Sequence, residues 1–307
     1  MGNRIAFLTG LILLSCGEKP PGYDGFSLYL EAPEGEEYVA AIYSKGEKAG
    51  FDAVYAGENE LYCPAGTFSI LTYPARTVNA VINDESWDGI SVELCRASDE
   101  ACSLFRTARS LTSRGVAVPT GSPGSESDAV CGMPGSLFLG MARNQRASSR
   151  LSMSAESISK GFFLRISDIS GIEWLSGAEA FITNMASGVR PQYGMAATSA
   201  AALYSELSLD LDTGSISGEI RHIGIGPDFA GQCNTLYLIV TDTAGKSFLY
   251  IYDISRQLPG ACAQDQAEMA LESGIEISKP ESGGGGGGFD ATLQNWGEVH
   301  VCLSIGQ

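Results

Sequence analysis

Thr235–Ser255 reads TLYLIVTDTAGKSFLYIYDIS. Two runs rich in β-branched and aromatic residues flank Ala244-Gly245-Lys246. Such runs suit a pleated, half-buried surface, and a short glycine-containing break turns the chain back on itself. The segment predicts a β-hairpin. Its upstream neighbour, ALYSELSLDLDTGSISGEIRHIG (Ala202–Gly224), alternates apolar and polar residues on both sides of Asp212-Thr213-Gly214. That period of two predicts a second hairpin with one buried face.

The same pattern continues outward. FSLYLEAP, EYVAAIYSK and FDAVYAGENELYCPAGTFSILTYP carry strand signals near the N-terminus, with turns at Gly57-Glu58-Asn59-Glu60 and Pro64-Ala65-Gly66. GISVELC, SLFRTA and SLFLGMARN follow as strands, around a Gly/Ser/Pro-rich loop over Thr112–Gly135. SRLSMSAES and KGFFLRISDIS predict a strand pair joined at Ser159-Lys160-Gly161. The alanines of SGAEAFITNMA allow a helix, but we read it as a strand. GIEISKP and VHVCLSI add two more. The one stretch that reads as a helix is GACAQDQAEMALESG (Gly260–Gly274), and it could be no more than a turn. Many short strands with frequent turns predict an all-β protein of two antiparallel β-sandwiches in tandem. The six glycines Gly283–Gly288 then join the penultimate strand to a last one, Trp296–Ile305.

Composition sets the chemistry allowed. The chain has 307 residues and a formal net charge of -17. Nucleic-acid binding needs clustered Lys and Arg, so no nucleic-acid partner is expected. Hydrophobic residues make up 44% of the chain, enough for real cores.

The N-terminus, MGNRIAFLTGLILLSCGEKPP, has one basic residue, an apolar run and then Ser15-Cys16-Gly17. The run is too short to span a bilayer, which takes about 20 residues, and reads as the core of a signal peptide. Leu13-Leu14-Ser15-Cys16 resembles the bacterial lipobox, where cleavage precedes a cysteine that carries lipid. This divides the chain into a signal peptide (1–15), a lipidated tether (16–25), a first sandwich (26–145) and a second (146–307). With Cys16 acylated, seven of the eight cysteines remain. Export permits disulfides. Local spacing offers two candidate pairs, Cys95 with Cys102 and Cys233 with Cys262. Sequence does not fix the pairing.

Several motifs suggest catalysis and are better read as structure. Asp212-Thr213-Gly214-Ser215 matches the local signature of aspartic proteases, with Asp242-Thr243 as the nearest partner. Both fall where a tight turn is predicted, and Asp-Thr-Gly is ordinary turn chemistry. A calcium loop would need glycine at its sixth position, and here it is the fifth. The glycine run lacks the preceding strand and following helix of a phosphate loop. Two histidines, His222 and His300, both at strand positions, leave no inventory for a hydrolytic triad or a zinc site. No catalytic residue, metal or cofactor is expected. Trp87, Trp174 and Trp296 could stack on sugar, but core positions suit them better.

The ordered set of features resembles one family. After the lipobox come LYCPAGTFSILTY, then GFFLRISDISGIEWLSGAEAFITNMASGV, then the two hairpins, then SGGGGGGFDATLQNWGEVHVCL. Together they resemble the FimB/Mfa-type fimbrial anchor lipoproteins of Bacteroidetes and their uncharacterised relatives. The resemblance covers nearly the whole mature chain and is stronger in the second half. It implies two transthyretin-like sandwiches and a lipid-anchored, surface-exposed place on the outer membrane. It also implies a role at the base of a type V pilus, where a neighbouring fimbrial subunit is joined by β-strand addition. Shaft subunits in such systems are cut after an arginine. No arginine lies between Arg4 and Arg76, which favours an anchor that keeps its lipid. A surface lipoprotein of the same fold that binds a glycan or host ligand is the alternative.

Overall fold

The computed structural model describes residues 22–112, 129–146, 150–227 and 234–280. Cys16, Cys233, the glycine run and the expected last strand lie outside them. The elements begin with β1 (Tyr23–Glu31), β2 (Glu37–Ser44), β3 (Glu47–Tyr55), β4 (Gly57–Pro64) and β5 (Thr67–Pro74). Next come β6 (Ala80–Asn83), β7 (Ser91–Leu94), helix α1 (Asp99–Thr112), β8 (Val130–Gly132), β9 (Phe138–Arg146), β10 (Arg150–Ser154) and β11 (Glu156–Ser157). The remainder is β12 (Lys160–Ser170), β13 (Leu175–Arg190), β14 (Ala196–Asp210), β15 (Ser215–His222), β16 (Thr235–Asp242), β17 (Ser247–Asp253), helix α2 (Leu258–Ala263) and β18 (Ala267–Glu276). The chain is all-β apart from these short helices. Among the described residues no helix is long and apolar enough to cross a membrane.

Two compact units form. The first comprises residues up to Arg76, Glu85–Trp87 and Leu139–Glu156. The second comprises Thr77–Asp84, Asp88–Phe138 and the residues from Ser157 on. The sequence reading placed 88–138 with the first sandwich. In the structure the described ones, 88–112 and 129–138, belong to the second unit, because β7 pairs with β13 and β8 with β14.

The first unit is a sandwich of a three-stranded sheet, β10-β1-β4, and a larger one, β11-β9-β5-β2-β3. Alternation along β1 buries Phe26, Leu28 and Leu30 and leaves Tyr29 outside. Phe26 meets Phe68 of β5 at 4.9 Å between ring centroids, so the two inner faces interlock. Here the turn expected at Gly57–Glu60 is absent, while the chain does bend at Ala65-Gly66 between β4 and β5. β3 pairs with β2 and β4 with β1, so the chain changes sheet at Gly57, whose φ is 100°. The residues expected as that turn, Gly57 to Glu60, open β4 instead. β10 runs parallel to β1 and does not pair with β12.

The second unit is built on the strand order β17-β16-β13-β14-β15-β12-β18. The opening hairpin, β16–β17, pairs in register from Thr235↔Asp253 to Thr241↔Ser247. β14 and β15 meet around Asp210↔Ser215, as expected. SGAEAFITNMA lies inside β13, a strand of 16 residues. Register breaks between Ile182 and Met185, where Asn184 takes a φ of 59°, so the bulged strand bends.

Two expectations fail on helices. Ser98 to Ala108 was read as a loop and a strand, but α1 occupies it. The Ser98 hydroxyl accepts a bond from the Ala101 amide at 3.1 Å, and Asp99 and Glu100 fill the first turn. These are N-cap signals. Ala101, Cys102, Phe105 and Ala108 then form one buried stripe against Phe181, Tyr237, Ile239 and Leu249. Conversely, the expected helix over Gly260–Gly274 shrinks to the six residues of α2. Ala267–Glu276 joins the sheet as β18, parallel to β12, with Met269 and Leu271 buried. The parallel pairs β1–β10, β8–β14 and β12–β18 qualify an otherwise antiparallel fold.

Candidate interaction surfaces and the thiol cavity

The acidic motifs prove to be turns. Asp210 Oδ1 accepts bonds from the amides of Asp212 and Thr213, and Gly214 takes a φ of 64°. Asp242 is buried, and its Oδ1 accepts from the amides of Ala244 and Lys246, both at 2.8 Å. The carboxylates of Asp242 and of Asp210, two residues before the motif's Asp212, are spent on holding their own hairpins.

The tryptophans do not form one stacking platform. Trp87 is buried, edge-on to Tyr43 at 5.5 Å. Trp174 is half-buried beneath the Lys279 ammonium, and Trp296 lies outside the described residues. Two exposed tyrosines, Tyr29 and Tyr62, stand on the outer face of β1 and β4, while Phe51, Tyr55, Phe163 and Tyr193 are exposed elsewhere. Tyr29 stands beneath the Arg150 guanidinium, which also pairs with Glu58 at 3.0 Å. Tyr62 lies over Gly25, where any side chain would meet its ring. Sheet edges are the other available surface. Among the described residues, β4 and β10 end the small sheet of the first unit, and β17 and β18 end the sheet of the second.

The second unit also holds a cavity of about 580 Å³. Cys102, Val130 and Cys131 line it, with Glu93, Arg96 and Arg106 among the charged residues. The structure holds Cys95, Cys102 and Cys131 alike as free thiols, so it shows no bridge between Cys95 and Cys102. Residues 95–102 do not make the small loop that such a bridge would close. Cys102 sits in the first turn of α1, its sulfur 3.4 Å from Arg96 Nε and 3.7 Å from the Ala97 carbonyl oxygen. Cys262, on α2, is a buried free thiol that desolvation pushes up to about 12. Its candidate partner, Cys233, lies outside the described residues. Nothing local in the sequence points to this cavity, whose lining comes from β7, the loop after it, α1, β8, β13 and β14.

His222 closes β15 and is almost fully buried against Phe162. Its Nδ1 accepts the Gly224 amide at 3.0 Å, and its Nε2 has no partner among the described residues. Burial first, and the Lys160 charge second, hold the imidazole down at about 4, with Asp265 opposing. The unfolded chain takes up this proton near 6.5, the folded one only near 4. Stability is therefore expected to fall as pH drops through that window, by roughly 3 kcal/mol once complete. The variant His222→Asn keeps an acceptor for Gly224. Denaturant titrations at pH 7.5 and 4 should show that share of the acid loss removed. An unchanged pH dependence would assign the loss to other groups.

No family model matches the chain, and neither does any curated protein. Solved structures do. A candidate adhesin from Bacteroides ovatus superposes with a TM-score of 0.62 at 14% identity, over 88% of this chain and 100% of that one. A second candidate adhesin from Bacteroides ovatus gives 0.51 at 9%, over 92% and 97%. The chain has the fold of these two structures. The fimbrial anchor protein Mfa2 from Porphyromonas gingivalis aligns more loosely, with a TM-score of 0.45 at 10% identity, over 81% and 90%. The first of these shares its whole length with this chain, at an identity that speaks for architecture alone.

Proposed function

We propose that the protein is an outer-membrane lipoprotein, held by acyl chains at Cys16 and exposed at the cell surface. There it serves as a structural anchor, or anchor-like accessory subunit, of a type V pilus. The observation that carries this reading is the fold, which matches the whole of a Bacteroides chain named as a candidate adhesin. The sequence Leu13-Leu14-Ser15-Cys16 supplies the attachment. Two acyl chains give stable anchoring where a single chain binds reversibly. A neighbouring fimbrial subunit would join by strand addition. A sheet edge supports this because its unpaired amides and carbonyls can accept a further strand.

The test is Cys16→Ala in the native host. Incorporation of labelled palmitate should vanish, and nearly all of the protein should leave the membrane fraction. Detergent extracts of the wild type should carry bound pilus subunits. A Cys16→Ala protein that stays membrane-bound at the wild-type level would remove the anchor reading.

A second reading is a surface lipoprotein of the same fold that binds a glycan or host ligand. The outward-facing Tyr29 and Tyr62 favour it, and the burial of Trp87 weighs against its tryptophan version.

A further inference from the structure

We propose that Cys102 and Cys131 form a disulfide in the exported protein, tying the first turn of α1 to β8. The argument starts from a short β-bridge. The Ala97 amide donates to the Val130 carbonyl at 2.9 Å, and the Gly132 amide donates to the Cys95 carbonyl at 3.1 Å. These two bonds flank the bridge Arg96↔Cys131 and make it a non-hydrogen-bonded antiparallel pair. In such a pair the side chains share a face and approach most closely. Cys131 therefore stands beside Arg96. Cys95, one residue earlier, is turned to the opposite face.

Arg96 connects Cys131 to the second thiol. Its Nε lies 3.4 Å from the sulfur of Cys102. Cys102 and Cys131 both line the cavity, whereas Cys95 does not. Both are buried, so neither competes with exposed thiols for nonspecific oxidation. Desolvation, with Cys95 and Cys102 as neighbours, raises the Cys131 thiol to about 11, which agrees with three sulfurs in one small region.

The chemistry requires an external disulfide, either a low-molecular-weight one or that of a thiol–disulfide oxidoreductase. Cys102 is the first nucleophile and acts before the fold closes, since both thiols are buried once it has. The thiolate attacks one sulfur of the external disulfide. That S–S bond breaks, a mixed disulfide forms and one external thiolate leaves. Cys131, deprotonated, then attacks the Cys102 sulfur and expels the second external thiolate. Two electrons pass to the external disulfide, and the two protons lost by the cysteines end on the two departing thiols.

The test is peptide mapping of the full chain, with thiols blocked by alkylation at lysis and digestion without reductant. A linked pair of peptides containing Cys102 and Cys131 is expected. Closing a loop of about 30 residues should raise the melting temperature of the second unit by roughly 5–10 °C, a gain lost on adding reductant. Cys131→Ser should show the lower temperature and no further response to reductant. Cys95→Ser should leave the cross-link intact. Recovery of Cys102 and Cys131 both alkylated, or either one joined to Cys95, would overturn the proposal. The map needs only the wild-type chain, so a variant that fails to fold does not block it.

Discussion

Phe105→Ala is expected to destabilise the second unit by about 4 kcal/mol, the cost of deleting a buried aromatic ring and leaving a cavity. Phe105 is fully buried. It stacks on Phe181 of β13 at 5.1 Å and meets Tyr237 of β16 edge-on at 5.5 Å. Its position on α1 makes it the residue through which the helix grips the sheet. The surrounding cluster is bounded by strand side chains whose backbones are held in ladders, so it cannot collapse into the space. Thermal or urea unfolding should show a lower midpoint for the transition of that unit. Phe105→Leu, which refills most of the volume, should recover a large part of the loss. A cost below about 1 kcal/mol would mean that α1 contributes little, as an exposed helix would.

Gly171→Ala should cost about 3 kcal/mol, from two additive sources. Gly171 turns the chain between β12 and β13 with a φ of 78°, a conformation that L side chains rarely adopt. An added methyl group would also fall on the Ile277 carbonyl oxygen, which is backbone and cannot rotate away. Relieving the clash would disturb the bond from the Ile277 amide to the Ser170 carbonyl, 2.8 Å, where the chain beyond β18 is still held to β12. Gly35→Ala separates the two effects. Its φ is 82°, yet nothing lies within 4 Å of the added methyl. It should lose only about 1 kcal/mol, the backbone part. Equal losses at the two glycines would show that the steric part is absent.

How much could be read in advance depended on where the information lay. The hairpin β16–β17 was legible because both strands and their turn sit within one window. Asp242 shows why its acid motif was harmless: a carboxylate at the start of a tight turn is captured by the amides that follow. α1 was missed although its signs were local. Ser98-Asp99-Glu100 is an N-cap with an acidic first turn, and Ala101, Phe105 and Ala108 repeat at helical spacing. The two flanking cysteines drew attention to a bridged loop instead. β18 was misread because Ala, Glu, Met and Leu favour helix when isolated, and only burial against β12 makes them a strand. The parallel pairing of β1 with β10 left no local trace at all. The cavity was equally hidden, because its lining is assembled from separate elements.

That parallel pairing bears on the order of assembly. Ser27 of β1 must wait for Arg150 before its sheet gains the third strand. β2 to β9 and α1 are interposed in between, although β13 and β14, the partners of β7 and β8, come later still. Closing so long a loop carries an entropic cost that must be met before the contact rewards it. During synthesis the first described strand, β1, therefore keeps one edge unpaired until β10 has followed it. Until then its open edge is the place where a chaperone, or a misdirected neighbour, would meet the nascent chain.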